Sequence, residues 1–359
     1  MNPVLVEVMR SNTVESAHRG ALAVLDADGA VLAAHGDVLR PIFPRSAAKV
    51  LQALPLVESG AAEQLGLGDE ELAIACASHN GEAAHTAVAL RMLERAGLDA
   101  SALECGTHWP KYEPAARALA AQGREPSALD NNCSGKHAGF LCLACALHGG
   151  AELRGYVHGY VASDHPVMRA VTAALQAATG FDLKKAPQGT DGCSIPTFGI
   201  PLHNLALAFA RVGTGTGLRA GHARAAQRLR AAVAKAPFMV GGSGRFDTLV
   251  MQRLGERVFC KVGAEGVYCA ALPGRGLGVA IKMDDGNNAR AVEVVMAAAI
   301  EALVGLDADE AAFMRGFSDV TLRNWNRIEV GAIRATRWLR EALAPLAHTL
   351  PLKLDAMKR

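Results

Sequence analysis

Two kinds of hydrophobic pattern alternate along the chain. Near its start, "ALAVLDADGAVLAAHGD" (21–37) holds two apolar runs of strand length around a D-A-D-G turn, which predicts a β-hairpin. Apolar positions then recur at helical spacing. "SAAKVLQALPLVESG" (46–60) predicts a helix that Pro55 ends or kinks, since proline has no amide donor and crowds the preceding turn. "EAAHTAVALRMLERAGL" (82–98), "KHAGFLCLACALHGG" (136–150), "HPVMRAVTAALQAATG" (165–180) and "ARAAQRLRAAVAKAP" (223–237) predict four more helices. The pattern then returns to strands: "RVFCKVGAEGVYCAALPGRGLGVAIKMDD" (257–285) predicts two or three antiparallel strands. A long final helix, "NARAVEVVMAAAIEALVGL" (288–306), follows. Strands near both ends thus bracket a helical middle of residues 82–240 or so. The economical arrangement is α+β: an antiparallel sheet from the N- and C-terminal parts, flanking helices and a helical insert, all within a single domain over 1–359.

Composition narrows the possibilities. Half of the 359 residues are hydrophobic, enough for a large core. The formal charge is only +2, with Lys and Arg scattered, so neither nucleic acid nor an anionic membrane is the expected partner. The opening "MNPVLVEVMRSNTVESAHRG" lacks the basic-then-apolar pattern of an export signal, and no apolar run approaches the roughly 18 residues of a membrane span. Eight dispersed cysteines read as reduced thiols or metal ligands rather than a disulfide framework. Together these features predict a soluble, cytoplasmic protein. The glycine-rich "VGTGTGLRAGH" (212–222) follows a helix, not a strand, and so reads as a mobile helix–helix loop rather than a phosphate cradle.

The candidate chemistry lies in three short motifs. Ser46-Ala47-Ala48-Lys49 opens a helix, Ser78-His79-Asn80 follows the apolar "ELAIACA", and Lys261-Val262-Gly263 lies on a strand. S-x-x-K, S-x-N and K-x-G occur in that order in serine β-lactamases and penicillin-binding proteins. A serine hydroxyl needs a base to become a nucleophile, and a lysine serves only when its pKa falls from about 10.4 toward neutrality. Burial and a second nearby lysine both push it that way. Ser46 and Lys49, three apart, share a helix face, so Lys49 can take the Ser46 proton. The missing export signal and the 28 residues between the first two motifs (50–77) count against a penicillin-recognising enzyme. The same toolkit acting on a cytosolic substrate suggests an amidase. The rival readings are a β-lactamase- or peptidase-like acyl hydrolase and a zinc-stabilised binding protein that has lost turnover.

A second cluster lies in "LDNNCSGKHAGF" (129–140) and "TDGCSIPTFGIP" (190–201). Cys133 with Lys136 or His137 one turn on, joined by Cys193, would suit Zn²⁺; the alternative is buried cysteines acting as small hydrophobes. Cys142 and Cys145 read as core, and the Cys and His of "ALECGTHWP" (102–110) as structural.

"PRSAAKVLQALPLVESGAA", "ASHNGEAAHTA", "LDNNCSGKHAGFL", "DHPVMRAV", "TDGCSIPTF", "GGSGRFDT" and "KVGAEGVYCAAL" together resemble the rhizobial-type L-asparaginases, the class 3 or asparaginase II family. The resemblance runs in order over roughly residues 3–335 and leaves out the tail 336–359. It implies a fold similar to serine β-lactamases and serine-dependent glutaminases, a homodimer, and hydrolysis of L-asparagine to L-aspartate and ammonia. Carried across by motif, the family's Ser-Lys tandems fall on Ser46 with Lys49 and on Ser78 with Lys261. Its zinc site falls on Cys133, Lys136 and Cys193. Ser46 is the preferred nucleophile, with Ser78 and Lys261 as a second proton relay. Arg45, Asn80 and Arg245 are the candidates for holding the substrate, the arginines through its α-carboxylate.

Overall fold

In the computed structural model, which describes residues 1–148 and 153–347, the chain folds as two units. The first comprises Met1–Ala47, Ile200–Thr214 and Arg257 onward. It holds an eight-stranded antiparallel sheet whose strands come from both ends of the chain: β1 (Val4–Arg10), β2 (Thr13–Asp26), β3 (Val31–His35), β4 (Phe259–Val262), β5 (Val267–Leu272), β6 (Leu277–Met283), β7 (Asp319–Arg323) and β8 (Glu329–Ala335). The order is β7-β8-β1-β2-β6-β5-β4, with β3 paired to β2 as the 21–37 hairpin requires. Asp26 closes that hairpin by accepting the amides of Asp28 and Ala30.

All of β5, and β6 except Lys282, is buried, so these strands read as unbroken apolar runs rather than an alternation. Helix Leu202–Thr214 lies on β6 so closely that a Cβ on Gly278 would sit 1.9 Å from the Ala206 carbonyl oxygen; only glycine permits the contact. The segment 288–306 begins with a π-helical turn, Asn288–Val292, and continues as helix Glu293–Leu303. It is not the last helix. Ala308–Ser318, β7, β8 and Arg337–Leu343 follow, and the hydrophobic pattern foreshadows neither these strands nor β1. Of the tail 336–359, residues 348–359 lie outside the described residues.

The second unit, Ala48–Gly199 with Gly215–Glu256, is mainly helical. Helix Ser134–His148 packs against helices Lys49–Glu58, Asp69–Ala75, Ala83–Arg95 and Pro166–Thr179. Ser134 to Ala144 are all buried, which explains why "SGKHAGFLCLA" shows no polar stripe. Gly149 and Gly150, expected to close this helix, lie outside the described residues. Pro55 does not end its helix, which runs on to Glu58; a 3-10 turn, Arg45–Ala48, leads into it. Helix Ala220–Lys235 starts earlier than its pattern suggests, so the glycine-rich stretch contributes only residues 215–219 as a loop. Among the described residues no helix is long and apolar enough to cross a membrane.

Candidate active site

In the second unit, helix Asp69–Ala75 ends at Cys76 and hands the chain to Ala77-Ser78-His79-Asn80. The Ser78 amide donates to the Val240 carbonyl and the His79 amide to that of Asn132, fixing the backbone on both sides of Ser78. Lys49, 1% exposed at the start of its helix, reaches this segment. Its ammonium donates to Ser78 Oγ at 2.9 Å, to Cys133 Sγ at 3.1 Å and to the Ala77 carbonyl. Three donors meet three acceptors, so the side chain has a single orientation.

His79 acts as a strut. Its Nε2 lies 3.0 Å from Ser134 Oγ, its Nδ1 accepts the Gly81 amide, and its ring stacks on His85 at 4.9 Å. Burial holds both histidines below the ordinary imidazole pKa, His79 well below, which keeps them neutral. Asn80 donates to the Ser243 carbonyl at 3.1 Å and to Glu82 at 3.2 Å, and its Oδ1 accepts from Arg245 at 3.4 Å. Two of the candidate substrate contacts, Asn80 and Arg245, are therefore neighbours. Glu82, which also accepts the amide and hydroxyl of Ser243, was not singled out in the sequence. Its place two residues after S-H-N is the only signal that marks it.

The thiol cluster forms in the same unit. The Gln188–Thr190 and Pro196–Phe198 strands make a ribbon whose loop carries Cys193, with Ser194 in the left-handed region (φ 74°). Lys136 Nζ is 3.0 Å from Cys193 Sγ. A hydrogen bond from Cys193 holds the Cys133 thiol well below its ordinary pKa against the opposing effect of burial, aided by Lys49 and Lys136; the proton stays on Cys193. Burial works against the Lys136 ammonium, but the two sulfurs and Asp191 more than offset it, so its pKa lies above the usual lysine value. Asn131 holds the turn: its Oδ1 accepts the Cys133 amide while its Nδ2 donates to the carbonyls of Cys105 and Gly106.

Two sulfurs and an amine, each less than 7% exposed, are a donor set that fits Zn²⁺. Among the described residues no three His, Cys, Asp or Glu side chains converge, so the fit depends on Lys136 as the third donor. His137, the other possibility, directs Nδ1 to Tyr160 Oη at 2.6 Å. Cys142 is buried core, Cys145 is half-buried, and Cys105 is buried with its thiol pushed up to about 12 by burial.

In the first unit, Ser46 lies in the Arg45–Ala48 turn. Arg45, just before it, has φ 51°, a left-handed conformation that is uncommon for a residue with a Cβ and is found at strained functional turns. Arg45 and Ser46 are half-buried. Lys261 is wholly buried in β4 and donates to the Val262 carbonyl at 2.9 Å. A Cβ on Gly263 would stand 2.6 Å from the Pro44 carbonyl oxygen, so the turn that carries Ser46 rests on the end of β4. The glycine of K-x-G thus has a steric role.

Among solved structures the chain is similar to Mglu in its tris and glutamate form, with 19% identity over 81% of this chain and 61% of that chain and a TM-score of 0.33. Mglu in its glutamate form matches at 18% identity over 81% and 63%, again with a TM-score of 0.33. The chain thus spans less than two thirds of the length of those proteins. No curated protein matches its sequence. The profile of L-asparaginase II matches residues 6–335, nearly the whole length, and the chain therefore belongs to the L-asparaginase II family.

Proposed function

We propose that this amidohydrolase of the asparaginase/glutaminase kind converts L-asparagine to L-aspartate and ammonia through an acyl-enzyme on a serine. The observation that carries the reading is Lys49, whose buried amino group is held 2.9 Å from a serine hydroxyl at Ser78. Ser46 is the nucleophile in this reading, because it is half-buried and within reach of a substrate, whereas Ser78 is only 5% exposed. Lys49, three residues further along the chain and acting as the neutral amine, takes the Ser46 proton as Oγ attacks the side-chain amide carbon. Ser78 passes that proton to the departing nitrogen as the C–N bond breaks. Water then adds to the ester, gives up a proton along the same route and releases aspartate and the serine. Lys261 assists this second step, and Arg45 and the Asn80–Arg245 pair hold the α-carboxylate. Backbone amides around Ser46 and Ser78 bind the oxyanion.

Cys133, Lys136 and Cys193 would hold Zn²⁺, Lys136 after losing its proton. Two thiolates would cancel the charge of the ion, so its contribution would be to join the 131–137 turn to the Cys193 loop. These loops adjoin the Ser78 segment through Lys49.

Ammonia release from L-asparagine, L-glutamine and β-aspartyl dipeptides, measured side by side, tests the proposal. Asparagine should have the highest kcat/KM. Ser46→Ala should lose at least about a hundredfold in kcat while folding normally. Near-normal turnover in Ser46→Ala would transfer the attack to Ser78. Hydrolysis of a chromogenic cephalosporin without ammonia release, or bound zinc with no turnover of any amide, would overturn the assignment.

A further inference from the structure

L-Asparagine carries two charges at its α-carbon. Arginines suit the α-carboxylate, but the α-ammonium needs an acceptor of its own, best an ionised carboxylate. Glu82, two residues beyond Asn80 in the second unit, is such a group. It is half-buried, so a small molecule can reach it. Burial alone would raise its pKa, but the Ser243 amide and hydroxyl and the Asn80 amide outweigh that effect and hold the carboxyl below its ordinary value, ionised. A carboxylate offers about four lone-pair sites. Oε1 accepts from the Ser243 amide at 2.8 Å and from Asn80 Nδ2 at 3.2 Å, and Oε2 from the Ser243 hydroxyl at 2.7 Å. Among the described residues one site on Oε2 is left for a further donor.

Asn80 sets the distance between this anion and the cation. It is 3% exposed, and both of its amide hydrogens are spent, one on Glu82 and one on the Ser243 carbonyl at 3.1 Å. At the other end of the same amide, Oδ1 accepts from Arg245 at 3.4 Å. A half-buried guanidinium and a half-buried carboxylate therefore stand one carboxamide apart, an arrangement that suits two opposite charges on a single α-carbon. Gly242 has φ 105°, and a Cβ there would stand 2.8 Å from Asn80 Nδ2 and closer still to Glu82 Oε1, so only glycine lets Ser243 reach the carboxylate. Asp247, the carboxylate two residues beyond Arg245, is 1% exposed and out of a substrate's reach.

We propose that Glu82 accepts the α-ammonium of the substrate while Arg245 takes the α-carboxylate, so that the site selects amides of free α-amino acids over amides without an α-amino group. The inference rests on the reading of Asn80 and Arg245 as substrate contacts. It extends that reading to the group that distinguishes an amino acid from a simple acid.

L-Aspartate and succinate test it, since they differ only in the α-ammonium. Calorimetry should show the parent binding L-aspartate about ten- to a hundredfold more tightly than succinate, the worth of a hydrogen bond between charged groups. Glu82→Gln keeps the shape of the side chain and an acceptor for the Ser243 amide but removes the charge. It should lose the preference while binding succinate as the parent does. In turnover its KM for L-asparagine should rise by the same factor while kcat falls much less. Ser243→Ala, which leaves the carboxylate in place, should keep the preference. A parent that binds both ligands alike overturns the proposal. So does Glu82→Gln weakening both equally, or Ser243→Ala losing the preference as fully as Glu82→Gln, either of which would confine Glu82 to shaping the loop. Ammonia from no amide at all, with the L-aspartate preference present in the parent and lost in Glu82→Gln, would refute the amidase reading and leave the ammonium contact standing.

Discussion

Gly263→Ala isolates the link between the K-x-G motif and the turn that carries Ser46. The φ of Gly263 lies outside the left-handed region, so alanine is not excluded by backbone conformation; the conflict is purely steric. The new methyl would sit 2.6 Å from the Pro44 carbonyl oxygen and 2.9 Å from Val267 Cβ, where ordinary contact begins at 3.4 Å. Pro44 and β4 must therefore separate by about 0.8 Å, the difference between 3.4 and 2.6, unless part of the movement is absorbed in the strand. A misplacement of about 1 Å at a reacting group costs about a hundredfold. Sharing the shift between strand and turn leaves an expected loss of about ten- to fiftyfold in kcat, or about 1.4–2.3 kcal/mol. Overpacking should also cost about 1–3 kcal/mol of stability. Steady-state ammonia release with saturating L-asparagine reads the first effect and urea unfolding the second. Gly274→Ala is the control: nothing lies within 4 Å of its added methyl, and both quantities should stay near those of the parent. If Gly263→Ala lost stability but kept full kcat, the Pro44 contact would not position the nucleophile and Ser46 would lose its assigned role.

Lys49→Met keeps the length of the side chain and removes the donors to Ser78, Cys133 and Ala77, so kcat should fall at least about a hundredfold with little change in KM; an unchanged kcat would dismiss Lys49 as the base. Stability should decline on acidification below about pH 6.5, since unfolded histidines bind protons there while buried His79 and His85, with depressed native pKa values, do not. The slope is up to about 1.4 kcal/mol per pH unit for each histidine and vanishes above that window, and urea melts that are flat from pH 7 to pH 5 would contradict it. Zinc uptake should release about two protons, because Lys136 would bind as the amine and Cys193 as the thiolate, and both hold their protons without the metal. Calorimetry in two buffers of different ionisation enthalpy measures that release. Cys133→Ser should abolish uptake and lower the melting temperature or raise KM while leaving measurable turnover, and complete loss of turnover in a folded protein, restored by zinc, would place the metal in the chemistry.

Local pattern was enough wherever a segment is stabilised by its own periodicity. The 21–37 hairpin, the helices starting at Ala83 and Pro166, and the three strands within 257–285 were all legible, because turn residues, caps and apolar spacing act within a few residues of one another. The ordered motifs likewise carried the family. Strands β7 and β8 were not legible: each is short, half-exposed and mixed in polarity, and exists because a neighbour offers it an edge, β1 to β8 and β8 in turn to β7. Nor could sequence say that Lys49 would direct its ammonium to Ser78 and Cys133, 29 and 84 residues away. Spacing alone left Lys136 and His137 equal beside Cys133, since both follow it by about one turn, and only the family resemblance named Lys136. Helix geometry sets which residues lie near a turn, but the Tyr160 hydroxyl claims His137 and the ribbon that presents Cys193 claims Lys136. Sequence alone determined the locally stabilised elements and the chemical inventory, because those depend on neighbours along the chain. Tertiary structure decided which groups share protons, because that depends on buried donors and acceptors finding partners from distant segments.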